Sequence, residues 1–274
     1  MIEDARGNID CEISGNERGS TIVLVPGSCS TGAAWRPVIA SLGDRFRCVT
    51  TSLPGYGRTA ERRAPDAPDI LQAAEIVRAV IRNSGDDAIH LVGHSFGGLV
   101  GLAAVLETPE QIASLTVIEA PAVELLTAAG ELEAYRAFRE MADTYFRAFR
   151  AGDREAIAAM IDFYGGAGTY ASWPERVRAY AIETTPVNML DWACAFSFRL
   201  SPAVLEAINV PIHVIVGGAS HPAILCANGL LSRCIAGASM TTIAGAAHFM
   251  ISTHAVDVAQ AIATHVGGLS EARV

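Results

Sequence analysis

The stretch from residue 88 to residue 107, AIHLVGHSFGGLVGLAAVLE, constrains this chain more than any other part of it. An apolar run typical of a buried strand leads into an apolar run typical of a helix, and only Ser95 separates them. Serine and glycine are poor choices inside either element, yet Gly93 and Gly97 flank this serine. The G-x-S-x-G spacing predicts a sharp, strained strand-to-helix turn. Such a turn exposes the Ser95 hydroxyl at a helix N-terminus, where negative charge is stabilised, so Ser95 is a candidate nucleophile.

Short β-branched runs alternate with longer amphipathic segments along most of the chain. The predicted strands and helices follow one another at residues 21–27, 33–42, 46–53, 70–85, 88–94, 96–107 and 114–120, and again at 210–218, 239–248 and 253–266. This alternation indicates an α/β fold with a mostly parallel, doubly wound sheet that is covered by helices on both faces. In such sheets, functional sites form at the carboxyl ends of the strands.

The alternation is interrupted between residues 121 and 207, which are predicted to form several helices. We therefore expect a core domain of residues 1–120 and 208–274, with residues 121–207 inserted as a helical cap over the sheet edge. Thirteen of the 18 aromatic residues lie in this insertion. They either line an apolar pocket or form the core of the cap itself. The polar stretch at 58–69, RTAERRAPDAPD, is predicted to be a solvated surface loop.

Candidates for the remaining catalytic groups follow from the predicted strand ends. The loop after the first strand, PGSCS, contains small residues whose backbone N–H groups can face a neighbouring site. The N–H groups of Ser28 and Phe96 are the expected oxyanion donors, with Cys29 as the alternative to Ser28. Among seven histidines, His248 follows the last predicted strand in GAAHFM. It is the candidate general base, with a buried, hydrogen-bonded structural histidine as the alternative.

Several motifs, taken in order, resemble the α/β-hydrolase superfamily. They are VPGSCSTGAAW, SLPGYGRT, GHSFGG, LTVIEAP, the helical insertion with GGAGTYASWP, and GAAHFM. The resemblance implies the α/β-hydrolase fold and the Ser95–His248 pair. Two positions depart from the family pattern. Pro26 stands where members often have histidine in the oxyanion loop, and the loop GGASHPAILCAN has His221 about where the catalytic aspartate is expected.

The acid of the triad must therefore come from another strand end. No aspartate or glutamate occurs between Ala207 and Val256. Glu119 closes the strand after the Ser95 turn, and some relatives, including haloalkane dehalogenases and a fungal mycotoxin lactonase, resemble this arrangement. We expect Glu119 to orient His248; the alternative is a glutamate that only orders the cap entrance.

A serine nucleophile with oxyanion donors predicts hydrolysis of a carboxylic ester or lactone through an acyl-enzyme. Alternatives with the same triad are C–C bond hydrolysis, cofactor-free perhydrolysis, or a ligand receptor with little turnover. Haloalkane dehalogenases and epoxide hydrolases use an aspartate where Ser95 stands, which disfavours those reactions. The expected substrate is a small apolar molecule, and the tentative pocket residues are Cys29, Trp173, Trp192 and Phe249.

Charge and motif content limit the other function classes. The formal net charge is −9 with no run of lysine or arginine, which disfavours nucleic acid and anionic membranes as partners. The N-terminus has no apolar signal segment, which favours a cytoplasmic location.

No metal-ligand or nucleotide-binding motif occurs, so neither a metal nor a cofactor is expected. The six cysteines are scattered and are expected to be mostly core residues. Nothing in the sequence indicates the oligomeric state.

Overall fold

The computed structural model describes residues 1–4, 7–85 and 88–271. The strands in these residues are β1 (Ile2–Asp4), β2 (Gly7–Ile9), β3 (Cys11–Gly15), β4 (Thr21–Val25), β5 (Arg47–Thr51), β6 (Ile89–His94), β7 (Ile112–Ile118), β8 (Ile212–Gly217) and β9 (Ser239–Ile243). β1 and β2 form a separate two-stranded antiparallel sheet. The other strands form one sheet in the order β3-β5-β4-β6-β7-β8-β9, in which only β3 is antiparallel to its neighbour. The predicted mostly parallel α/β sheet is therefore confirmed.

The register of the central strands places the predicted catalytic residues at one edge of the sheet. His94, the last residue of β6, pairs with Ile118, the last residue of β7, and Ile118 pairs with Ile215 of β8. Ser95 and Glu119 therefore leave the sheet side by side at its carboxyl edge.

Helices cover both faces of the sheet. They are α1 (Arg36–Leu42), α2 (Ile70–Ser84), α3 (Phe96–Glu107), α4 (Val123–Ala129), α5 (Leu132–Arg150), α6 (Ile157–Gly165), α7 (Thr169–Ser172), α8 (Glu175–Glu183), α9 (Thr185–Ser197), α10 (Pro202–Glu206), α11 (Pro222–Cys234), α12 (Met250–Thr253) and α13 (Ala255–Glu271). Alternate residues of β4 explain the two layers. Ile22 and Leu24 share a buried cluster with residues of α1 and α13, whereas Val23 and Val25 share another with α2, α3 and α11. A strand buried on both faces is what an uninterrupted apolar run predicts.

Between β7 and β8 the chain forms seven helices, α4 to α10, within a stretch that the structure describes completely. Aromatic rings hold this segment together. The ring of Phe138 is fully buried, and its centroid lies 5.4 Å from that of Phe163 and 6.1 Å from that of Trp192. These contacts favour the second of the two roles proposed for the aromatic residues, a core within the helical segment.

Two differences from the sequence prediction concern the N-terminal third. The strands β1, β2 and β3 were not predicted. Both β1 and β2 have only three residues, too few for an alternating pattern, and β3 pairs with β5 from a distant part of the chain. The segment 58–69 was predicted to be solvated, and this is wrong for Arg63, whose side chain is completely buried. An ion pair formed by distant parts of the chain, described below, explains its burial.

Candidate active site

Ser95 occupies a strained turn between β6 and α3. Its backbone has φ 54° and ψ −127°, a conformation that costs a non-glycine residue roughly 1–3 kcal/mol. The flanking glycines are required sterically. A Cβ added to Gly93 would lie only 2.4 Å from the Gly97 carbonyl oxygen. A Cβ added to Gly97 would lie only 2.3 Å from the Pro26 carbonyl oxygen. The local sequence therefore has the only residue type that permits this approach of strand, helix and neighbouring loop.

His248 and Glu119 form a buried pair beside this turn. The Nδ1 atom of His248 lies 2.8 Å from Oε2 of Glu119, and both side chains are almost completely inaccessible to solvent. Glu119 also has a positive φ, 48°, so its backbone is held in an unfavourable conformation at the end of β7. A carboxylate on Nδ1–H holds Nε2 unprotonated and able to accept a proton.

The loop after β8 supports Glu119 instead of supplying an acid. The Oε1 atom of Glu119 accepts hydrogen bonds from the backbone N–H of Gly217 at 2.7 Å and from the Ser220 hydroxyl at 2.5 Å. This loop contains the family's usual acid position, at about His221 in this chain. His221 turns elsewhere, since it caps α11 and its ring lies 4.2 Å from that of Phe163. The end of β8 and the loop after it therefore donate two hydrogen bonds to a carboxylate that comes from the neighbouring strand.

Two rings lie against the His248 imidazole. The ring centroid of His94 is 4.7 Å away and that of Tyr164 is 4.1 Å away, each tilted by 38°. His94 also makes a 2.9 Å hydrogen bond from Nε2 to the carbonyl oxygen of His248. Burial, with a smaller contribution from electrostatic repulsion by His248, lowers the pKa of His94 to about 3, so His94 is neutral and donates from Nε2.

The two predicted oxyanion donors belong to the residue after Ser95 and to the residue after Gly27. Ser28 and Phe96 both line the cavity into which Ser95 and His248 open. Phe96 is the first residue of α3, so its N–H has no partner within the helix. Gly27 is in close contact with the nucleophile turn, since a Cβ placed on it lies 2.8 Å from Cβ of Ser95. The loop 26–29 thus passes directly beside the serine.

This cavity has a volume of about 440 Å³. All four tentative pocket residues, Cys29, Trp173, Trp192 and Phe249, line it. Trp173 and Phe249 meet edge to face with their centroids 5.0 Å apart. Trp192 both lines the cavity and packs on Phe138, so the two roles considered for the aromatic residues coincide in one side chain.

Sequence reasoning missed a buried ionic network centred on Asp191 of α9. Its Oδ2 atom accepts hydrogen bonds from the Ser28 hydroxyl at 2.5 Å and from the Tyr56 hydroxyl at 2.6 Å. Its Oδ1 atom is paired with the guanidinium of Arg63, which also contacts Glu61 at 2.7 Å. Burial by itself lowers the pKa of the Arg63 guanidinium. The negative charges and hydrogen bonds of Asp191 and Glu61 outweigh this effect and raise the pKa above its usual range. Asp191 is the only carboxylate in TPVNMLDWACAFS, a signal that could have indicated a buried partner.

We expect Asp191→Asn to lower the free energy of unfolding by about 3 kcal/mol, because loss of one partner leaves a buried guanidinium incompletely compensated. Thermal and urea unfolding of the variant measure this. The matched control is Asp143→Asn, which removes an exposed carboxylate 3.2 Å from Arg139 and changes stability by less than about 1 kcal/mol. Equal stability of the two variants would contradict the interpretation.

The described ranges 1–4, 7–85 and 88–271 contain neither a cluster of metal-binding side chains nor a helix that could span a membrane. No group of three or more His, Cys, Asp or Glu side chains there is arranged to hold a metal ion. Among the helices described above, none is both long enough and apolar enough to cross a membrane.

Comparison with known proteins agrees with this architecture. Over 105 residues the chain is 35% identical to the pimeloyl–acyl-carrier-protein methyl ester esterase of Vibrio campbellii, a match that covers 38% of this chain and 39% of that protein. The chain therefore spans well under half the length of this curated relative. Its structure is similar to a hydrolase from Pseudomonas aeruginosa, with a TM-score of 0.77, 20% identity and 97% of each chain covered.

A second solved structure is similar over most of its length. The enol-lactonase from Burkholderia xenovorans has a TM-score of 0.73 and 19% identity, with 94% of this chain and 96% of that chain covered. At such identities the likeness shows the fold. A family model described as the alpha/beta hydrolase family matches residues 22–261, which include the main sheet from β4 onward and the helical segment. By this match the chain belongs, as predicted, to the alpha/beta hydrolase family.

Proposed function

We propose that this enzyme hydrolyses a carboxylic ester or lactone through an acyl-enzyme formed on Ser95. The observation that carries the proposal is the 2.8 Å contact between Nδ1 of His248 and Oε2 of Glu119, at a cavity that Ser95 also lines. In the proposed triad, Ser95 is the nucleophile, His248 is the base and Glu119 orients the base.

The first half of the reaction transfers the acyl group to the enzyme. The Oγ atom of Ser95 attacks the substrate carbonyl carbon while Nε2 of His248 takes the hydroxyl proton. The carbonyl oxygen becomes an oxyanion, which accepts hydrogen bonds from the N–H groups of Ser28 and Phe96. The intermediate then collapses, the bond to the alcohol oxygen breaks, and His248 returns the proton to that oxygen. In a lactone, the new hydroxyl stays attached to the acyl group.

The second half transfers the acyl group to water. His248 takes a proton from a water molecule whose oxygen attacks the ester carbonyl carbon of acyl-Ser95. The second oxyanion uses the same two backbone donors, and its collapse breaks the bond to Oγ of Ser95. His248 returns its proton to Oγ, so a carboxylic acid is released and the serine is regenerated.

We also propose that residues 121–207 act as a cap on a core of residues 1–120 and 208–274. The cavity contains side chains from both parts, with Ser28 and Phe249 from the core and Trp173 and Trp192 from the cap. The side chains that line it are mostly apolar or aromatic, which supports a small apolar acyl or alcohol group as the part that fills it.

The test is a substrate panel of p-nitrophenyl esters with acyl chains of increasing length, five- and six-membered lactones, and vinylogous diketones. We expect steady turnover of esters or lactones, with kcat/KM rising by roughly tenfold from a two-carbon to a six-carbon acyl chain because the longer chain buries more apolar surface. A ligand receptor gives at most a single turnover with any ester. Turnover confined to the diketones, or to perhydrolysis with added hydrogen peroxide, would overturn the proposed reaction.

A further inference from the structure

Two rings that differ in origin and chemistry lie close to the His248 imidazole. His94 comes from the sheet and donates Nε2–H to the His248 carbonyl oxygen at 2.9 Å. Tyr164 comes from α6 in the helical segment, and its ring centroid lies 4.1 Å from that of the imidazole at a tilt of 38°. His94 thus contacts both the backbone and the ring of His248, whereas Tyr164 contacts its ring.

We propose that Tyr164 is a positioning residue that stabilises the protonated form of His248 with the face of its ring. The inference rests on the proposed function, in which His248 carries a proton while the tetrahedral intermediates exist. The face of an aromatic ring is negative, and it attracts a cation within about 6 Å of its centroid. The site is buried, with Tyr164 only 4% exposed, so water screens this attraction weakly.

The other groups around His248 do not duplicate this role. The Glu119 carboxylate at Nδ1 is its anionic partner. His94 is neutral and its Nε2–H is already donated, while Asp191, which lines the same cavity, is neutralised by Arg63. Phe249 meets the imidazole edge to face, with centroids 5.3 Å apart at 80°. The rings of Tyr164 and His94 are both tilted by 38° to the imidazole, and the Tyr164 ring is the nearer of the two, at 4.1 Å against 4.7 Å.

The Tyr164 ring is itself held in place. Its centroid lies 5.5 Å from that of Phe163 and 6.4 Å from those of Phe138 and Trp192. Burial and the negative charge of Glu119 raise the pKa of Tyr164, so the phenol remains neutral wherever the enzyme works. A neutral, immobilised ring needs no reorganisation when the charge on His248 appears.

The test compares Tyr164→Leu, which removes the ring, with Tyr164→Phe, which retains it. The pKa of His248 is measured by NMR titration of its imidazole in the parent and in both variants, with His248→Gln to assign the signal. We expect Tyr164→Leu to lower this pKa by about half a unit to one unit, and Tyr164→Phe to leave it within about 0.2 unit. This readout does not depend on turnover, so it tests the inference even if the substrate panel fails.

Kinetics supply the second readout. Tyr164→Leu should lower kcat about three- to tenfold with a smaller change in KM, and it should move the acid limb of kcat/KM to lower pH by the same shift as the NMR titration. Tyr164→Phe should restore both properties. The control is Tyr170→Leu, which removes an equally buried tyrosine of α7 that does not line the cavity.

Three outcomes would overturn the inference. If the pKa of His248 is unchanged in Tyr164→Leu, Tyr164 contributes only packing and does not stabilise the protonated imidazole. The same shift in Tyr170→Leu assigns the effect to loosening of the helical segment. A Tyr164→Phe variant that behaves like Tyr164→Leu assigns it to the hydroxyl. If Tyr164→Leu does not fold, Tyr164→Met, which is unbranched and fills a similar space, takes its place.

Discussion

Glu119→Gln is expected to lower kcat about 10⁴-fold on the best ester or lactone while the protein remains folded. The glutamine oxygen can still accept the hydrogen bonds that Gly217 and Ser220 donate to Oε1 of Glu119. Its NH₂ group must then face Nδ1 of His248 and donate to it. The imidazole is left with its proton on Nε2, which cannot accept the proton of Ser95.

Two matched variants separate this role from a general loss of negative charge. Glu124→Gln changes a half-buried carboxylate at the start of α4, and Asp257→Asn changes an exposed one in the first turn of α13. We expect both to retain kcat within about threefold of the parent, and all three variants to melt close to the parent temperature. A Glu119→Gln enzyme within about tenfold of the parent, with either control severely impaired, would transfer the role of the acid to another residue.

Ser95→Ala is expected to lower kcat by about 10⁶-fold, because loss of the nucleophile removes the covalent route and leaves only binding and the oxyanion donors. A fluorophosphonate should add its mass to the parent at the peptide containing Ser95 and leave Ser95→Ala unlabelled. His248→Ala should label far more slowly, since no base remains to take the hydroxyl proton.

The control for labelling is Ser252→Ala, which removes a different hydroxyl from the same cavity. This variant should label and turn over like the parent. Labelling of Ser95→Ala at the parental rate, or loss of labelling in Ser252→Ala, would refute Ser95 as the nucleophile. The tests of Ser95 and Glu119 are independent, because a serine hydrolase whose acid lies elsewhere still labels at Ser95.

Some features could be predicted from the sequence because their causes are local. Gly93 and Gly97 are required by contacts with residues four positions apart or in an adjacent loop, so a short motif contains most of the information. The alternation of strands and helices indicates a parallel sheet, and parallel strands bring their carboxyl ends to one edge. That geometry explains why Ser95 and Glu119, each one residue beyond its strand, lie side by side.

The acid is an intermediate case. The absence of carboxylates between Ala207 and Val256 pointed to Glu119 by elimination, and the structure brings this glutamate to His248. Its other two contacts could not be predicted, because Gly217 at the end of β8 and Ser220 in the following loop are about a hundred residues away. No local pattern in the sequence indicates that a loop without the usual catalytic acid donates hydrogen bonds to a carboxylate on the neighbouring strand.

The sequence by itself determined the class of fold, the strained serine turn and the histidine after the last strand, since each depends on periodicity or on residue types close together in the chain. Only the tertiary structure decided the partners of buried charges and rings. Arg63 lies in a polar segment that resembles a solvated loop, and its partner Asp191 is 128 residues away. Tyr164, in the helical segment, is likewise far from His248 in the sequence, yet the two rings are in contact. Such contacts arise where separate elements pack, and hydrophobic periodicity specifies which face of each element is buried but not which polar or aromatic groups meet there.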